Sequence, residues 1–115
     1  MADFLEHATV GKPIQLQTAA SATGNGVQAA AQSKIKNHSF FITGSAGVAS
    51  GAVTLEAAPT PGYAGTWHPL ASAVTVVAST TKLTTVSNTP LAVIRARIST
   101  VLVGGTVDVT YIGSD

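Results

Sequence analysis

The segment Leu91-Ala92-Val93-Ile94-Arg95-Ala96-Arg97-Ile98-Ser99-Thr100 decides the fold. Ala92, Ile94, Ala96 and Ile98 alternate with Val93, Arg95, Arg97 and Ser99. A period of two puts one set on each face of a strand, whereas a helix would need spacings of three and four. The same period recurs on both sides. Ile14, Leu16 and Thr18 alternate with Gln15 and Gln17, and Phe40 and Ile42 alternate with Phe41 and Thr43. Val53 and Leu55 alternate with Thr54 and Glu56. Near the end, Val107, Val109 and Tyr111 stand opposite Thr106, Asp108 and Thr110. Two further short runs, Ser72 to Val77 and Thr81 to Val86, are rich in the β-branched residues that suit a pleated surface.

Turn signals separate these runs: Gly24-Asn25-Gly26, Gly44 to Gly51, Pro59 to Gly65, Asn88-Thr89-Pro90 and Gly104-Gly105. Short strands with turns at such intervals predict an all-β sandwich or barrel. Between Val27 and Lys36 the residues Gln28 to Gln32 have helix propensity, but ten residues leave room for at most a short helix. A strand at about 26–31 followed by a turn is the reading adopted. The expected architecture is a single antiparallel β-sandwich, jelly-roll-like, over residues 14–115. An N-terminal arm precedes it over residues 1–13. Pro13 cannot donate to a ladder and so marks a boundary before Ile14. The arm has little alternation of its own, yet it carries Phe4, Leu5 and Val10 for burial against a partner.

Composition narrows the function. Of 115 residues, 19 are Ala, 16 Thr, 13 Val, 11 Gly and 10 Ser, more than half of the chain. Charged residues are 10%, against about 25% in ordinary domains. A net charge of +1 provides no electrostatic footprint for nucleic acid. With no cysteine, disulfide scaffolds, thiolate metal sites and Cys nucleophiles are excluded. The start, Met1-Ala2-Asp3-Phe4-Leu5-Glu6-His7, has two acids and no base, unlike a secretory signal. No apolar run approaches the ~20 residues of a membrane helix, and a soluble protein made in a cytoplasm is expected. Free monomers shield sheet edges with charge, especially Lys. A chain with so little charge is expected to cover part of its surface with other copies or another protein.

Candidate chemistry is sparse. Gly24-Asn25-Gly26-Val27-Gln28-Ala29 fits G-x-G-x-x-A, but a dinucleotide site needs a strand before it, a helix after it and an acid about 20 residues on. The next acid is Glu56, and a glycine turn is the simpler reading. His7, His38 and His68 are too scattered for a zinc site. Gly44-Ser45-Ala46-Gly47 lacks the G-x-S-x-G spacing of a hydrolase elbow. No catalytic residue, metal or cofactor is expected. The loop holding Tyr63, Trp67 and His68 could stack on a sugar ring. The competing reading, which is preferred, buries Trp67 between the sheets with its N–H on a backbone carbonyl. Arg95 and Arg97 could grip an acidic partner or pair with Asp108 and Glu56, and both readings stay open.

In order, the chain runs from a glycine turn at 24–26 to Phe40-Phe41-Ile42-Thr43-Gly44 and then Gly51-Ala52-Val53-Thr54-Leu55-Glu56. A Pro/Gly loop leads into Trp67-His68-Pro69-Leu70. Ile94-Arg95-Ala96-Arg97-Ile98, a glycine turn and Val107-Asp108-Val109-Thr110-Tyr111-Ile112-Gly113 complete it. Over roughly 24–113 this resembles the small β-sandwich virion proteins of tailed bacteriophages: capsid decoration (cement) proteins, head fibres and tail accessory proteins. The resemblance lies in strand order and texture. It implies a non-enzymatic homo-oligomer, often a trimer, that binds the major capsid protein or another virion protein on the capsid surface and stabilises the shell. The expected contacts are Phe4, Leu5, Val10, Arg95 and Arg97. The alternative is a carbohydrate-binding or host-adhesion module that uses Tyr63, Trp67 and His68.

Overall fold

The computed structural model describes residues 5–31 and 34–115. The strands are β1 (Leu5–Ala8), β2 (Ile14–Ala20), β3 (Gln28–Ala31), β4 (Asn37–Gly44) and β5 (Ser50–Ala58), then β6 (His68–Pro69), β7 (Val74–Thr75), β8 (Thr81–Val86), β9 (Val93–Val103) and β10 (Val107–Ser114). One sheet has the order β1-β3-β9-β5, with β6 and β7 both lying along the far edge of β5. The second has the order β2-β10-β4-β8. From β2 to β5 the chain changes sheet at every strand, and it does so again from β8 to β10. With β6 and β7 counted as one broken edge strand, this is the strand order of a jelly roll.

Alternation decides which side chains meet between the sheets. His38, Phe40 and Ile42 of β4, Val107, Val109 and Tyr111 of β10, and Ile94, Ala96 and Ile98 of β9 all point inward and are buried. Val53 and Leu55 of β5 and Leu16 of β2 complete the middle of the core. The β4–β10 ladder runs without interruption from Val107↔Gly44 to Ser114↔Asn37, which holds the largest buried rings, Phe40 and Tyr111, side by side with centroids 5.2 Å apart. The β9–β10 turn needs glycine at 104. Its φ is +84°, and a Cβ there would collide with the Gly47 carbonyl oxygen.

Two sequence expectations change. The segment expected to form a separate arm enters the sandwich: β1 pairs in parallel with β3, from Leu5↔Gln28 to Ala8↔Ala31. Ala8 is fully buried in the core, Val10 bridges Gly113, and the Gly11 N–H donates to the Gly113 carbonyl at 2.8 Å. Leu-Glu-His-Ala contains no β-branched residue and is too short for alternation to register, so the strand exists only because β3 offers it an edge. Phe4 lies outside the described residues, as does the side chain of Leu5. The run from Ser72 to Val77 shrinks to Val74–Thr75, because the chain there leaves the first sheet for the second. Val76 N–H still donates to Gly51, while Ala78 already bridges Gly44. The strand expected near 26–31 is present as Gln28–Ala31.

Because β1 is laddered and Ala8 is buried, removing residues 1–13 should destabilise the isolated chain. The expected loss is roughly 2–4 kcal/mol, from several ladder hydrogen bonds and the apolar area uncovered. Urea unfolding of the chain beginning at Ile14, followed by circular dichroism, measures it.

Candidate functional site

The chemistry-bearing residues gather on the outer face of the first sheet. On β5 the residues that point away from the core are Thr54, Glu56 and Ala58. The β5–β9 register sets them across from Arg97, Arg95 and Val93. Glu56 is held by both arginines: Arg95 Nε donates to Oε1 at 2.9 Å and Arg97 Nε to Oε2 at 3.1 Å. The Glu56 and Arg95 side chains are 6% and 12% exposed, while Arg97 keeps 38% of its surface in solvent. Two cations on one carboxylate leave the cluster with a net positive charge. Asp108 takes no part, since its Oδ1 accepts the Ala19 backbone N–H at 2.8 Å. Of the internal pairings expected for the arginines, the structure contains the one with Glu56 and not the one with Asp108.

Trp67 roofs this cluster. The Arg95 guanidinium lies 4.0 Å from the centroid of the indole, a cation–π contact. Trp67 is buried, and its Nε1–H donates to the Tyr63 carbonyl at 3.0 Å. The expected burial and hydrogen bond are both present, but the position is not between the sheets. Trp67 packs with Ala58 and Val93 in a cluster separate from the main core. Register explains this. Ala57 pairs with His68, which sets the preceding Trp67 across from Ala58, on the outer face. The loop 59–67 is drawn over that face, and Gly62 N–H donates to Gln28 Oε1 at 2.9 Å. Tyr63 is 37% exposed and His68 is exposed, so Tyr63, Trp67 and His68 do not present a common stacking platform. Val10 is exposed beside β10, away from the arginines.

Sequence reasoning missed the buried, titratable His38. His38 is fully buried between Tyr111 and the loop after β8. Its Nε2 lies 2.8 Å from the Thr89 carbonyl, which can only accept, so Nε2 carries the proton. Nδ1 then accepts from the Tyr111 hydroxyl at 2.6 Å, and the two rings stack with centroids 5.7 Å apart. Burial pulls the His38 imidazole below its ordinary value of 6.5, against an opposing pull from the Thr89 carbonyl. Burial likewise pushes the Tyr111 hydroxyl well above its ordinary value. The signal that could have found His38 is its phase, since it alternates in step with Phe40 and Ile42.

Beyond Thr89 an open groove of about 620 Å³ runs between the end of β5 and the 87–92 loop, lined by Ala57, Pro59, His68, Leu70, Pro90 and Leu91. His68 is the one titratable side chain along it, and the Thr89 hydroxyl on the same wall donates to the Ser87 carbonyl at 3.0 Å. Among the described residues no three of His, Cys, Asp and Glu come close enough to hold a metal ion. The Gly24-Asn25-Gly26 turn leads into β3 and not into a helix, and the Gly24 carbonyl is taken by the Ile98 N–H at 2.9 Å. It therefore lacks the geometry of a dinucleotide loop.

No protein-family model matches the chain. No curated protein matches it either. Among solved structures it is similar to a chain from the Bacillus endospore appendages, described as a novel family of disulfide-linked pili. The identity is 18%, the match covers 92% of this chain and 88% of that one, and the TM-score is 0.39. Similarity at that level carries no argument about what this chain does.

Two outcomes are expected. Trp67→Ala should lower stability by about 3 kcal/mol, the low end for a large buried aromatic, because the loop above it can settle inward. Urea denaturation reads this. The second concerns pH. The folded His38 takes up its proton less readily than the unfolded one, so its contribution is fully present above about pH 6.5 and is lost as pH falls through its lowered folded value. The urea midpoint should fall as the pH is lowered below about 6.5, and His38→Gln should flatten that dependence.

Proposed function

We propose that this chain is a non-enzymatic structural protein that coats or bridges a larger assembly, and in finer terms a decoration protein on the outside of a bacteriophage capsid. The observation that carries the reading is the character of the surface. Val77, Leu83, Val101 and Val103 are 42%, 57%, 49% and 50% exposed on a chain with 10% charged residues. Val101 and Val103 stand two residues apart on one outward face at the end of β9, and large apolar side chains clustered in this way mark a surface that expects cover. The jelly-roll strand order supports the same reading, since capsid domains are among its frequent uses. So does the resemblance in strand order and texture to small phage virion proteins. The buried Trp67 removes the main support for the sugar-stacking alternative.

The mechanism is mass action. A protein that binds assembled subunits, and not separated ones, stabilises the assembly. Many copies that bridge neighbours multiply a weak contact. The contact proposed for the shell is the tip of the β9–β10 hairpin, where Val101 and Val103 stand exposed, with the half-exposed Arg97 further along the same strand.

Particles stripped of this protein and re-mixed with the purified chain test the reading. Electron microscopy with labelled chain should show it on capsids, and the decorated particles should withstand heating better than the stripped ones. Val101→Asp combined with Val103→Asp should weaken decoration at least tenfold while leaving the unfolding midpoint nearly unchanged, as surface substitutions usually do. Label confined to tails, or absent from particles, would overturn the capsid assignment.

A further inference from the structure

The four sheet edges are not treated alike. The outer edge of the first sheet is broken into β6 and β7, two residues each, with Pro69 in the first. Its opposite edge, β1, is four residues long. In the second sheet, β2 has register shifts against β10, and its Leu16 carbonyl is taken by the Val27 N–H at 3.0 Å. Interruption, proline, bulges and cover are the usual protections of an edge. β8 has none of them. Its six residues, Thr81-Lys82-Leu83-Thr84-Thr85-Val86, contain no proline or glycine, and its register with β4 is unbroken from His38↔Val86 to Thr43↔Thr81. Its single charge does not guard it either, because Lys82 Nζ is turned to the Thr75 carbonyl at 2.7 Å.

The ladder also shows which backbone groups are free. Gly44 N–H donates to the Thr80 carbonyl at 3.1 Å, in step with the β4–β8 register. In an antiparallel pair, hydrogen-bonded and non-bonded positions alternate. Thr80, Lys82, Thr84 and Val86 therefore turn their backbone groups toward β4, and Thr81, Leu83 and Thr85 turn theirs outward. Among the described residues no backbone group reaches these three from outside the sheet. They are also the exposed residues of the strand, with Leu83 at 57%.

We infer that β8 pairs with β8 of a second copy, antiparallel about a twofold axis at Leu83, joining the two second sheets into one continuous sheet. The edge is complementary to itself in this register. Leu83 faces Leu83 of the other copy and Thr81 faces Thr85, so three pairs each exchange two backbone hydrogen bonds. Registers shifted by two residues lose one of those pairs. Lys82 faces Thr84, so the strand's one cation never meets its own copy. Leu83 already lies across from the half-buried Phe41 on the outer face. Pairing extends this into a row of Phe41, Leu83, Leu83 and Phe41, which covers the most exposed large apolar side chain among the described residues. A contact of this kind produces pairs, in place of the trimer that the resemblance implies. It does not rest on the phage assignment, since it is tested on the purified chain alone.

Sedimentation equilibrium of the full chain should give a mass rising with concentration from 11.5 kDa to twice that value. Leu83→Pro removes an N–H that points outward, a position where an edge strand accepts proline. It should remain folded by circular dichroism and weaken pairing at least tenfold. Leu83→Lys, which sets like charges directly opposite, should do the same and serves if the proline variant fails to fold. Because the chain has no cysteine, Leu83→Cys is a clean geometric probe. Hydrogen-bonded partners lie about 5.5 Å apart at Cα, within disulfide range, so mild oxidation should link this variant into dimers. Thr81→Cys, which faces Thr85, should link far less. The inference is overturned if the wild-type chain stays at 11.5 kDa at its highest soluble concentration. It is equally overturned if pairing survives both a folded Leu83→Pro and Leu83→Lys, or if Thr81→Cys links as readily as Leu83→Cys.

Discussion

The antiparallel ladder between β5 and β9 is the constraint on which the rest depends. It runs from Ser50↔Val103 to Ala58↔Val93 and presents two different faces. Inward, Val53 and Leu55 beside Ala96 and Ile98 form one wall of the core. Outward, the same register puts Glu56 between Arg95 and Arg97 and puts Ala58 beside Val93 as a seat for Trp67. A slip of one residue would send the arginines inward and the isoleucines into solvent. The register shifts near Ser50, Ala52 and Val53 fall at the other end of the ladder, away from the ion pairs.

The ion pairs of the outer cluster tie Glu56 of β5 to β9 without being a large source of net stability. Withdrawing a carboxylate and a guanidinium from water costs much of what their attraction returns. The arrangement lowers that cost in two ways. Glu56 spends each oxygen on a different arginine, and Arg95 rests on the indole, a surface on which a weakly hydrated guanidinium loses little. The loop 59–67 is held by the Trp67 indole above Arg95 and by the Gly62–Gln28 hydrogen bond. It fastens β3, β9 and β5 together from outside.

His38 performs a similar task inside. Its ring connects β4 to Tyr111 of β10 and to the backbone of the 87–92 loop, which is also held by Thr89 N–H on Lys36 and Asn88 N–H on Asn37 Oδ1. Each ring nitrogen has a partner in the neutral form, so the polar group is satisfied without a charge in the core. The loop it anchors borders the open groove. The shape of that groove therefore depends on a residue that does not line it.

Much of the fold was legible in the chain. The period of two over Leu91–Thr100, Asn37–Gly44 and Thr106–Ile112 identified strands, and the glycine and proline turns between them indicated a sandwich, because alternation and turn chemistry are local properties. The inward and outward sets of β9 could also be separated by composition alone. What the sequence could not specify was pairing. That β1 exists at all depends on the edge β3 offers it. That Arg95 and Arg97 meet Glu56 and not Asp108, and that Trp67 lies outside the core, depends on the β5–β9 and β5–β6 registers. The unguarded edge of β8 is likewise a property of its place at the end of β2-β10-β4-β8 and not of its six residues. Registers and neighbours are set by long-range contacts, which gain their energy only when the whole sandwich closes. Local periodicity determined which segments are strands, and only the tertiary structure decided which strand each one faces.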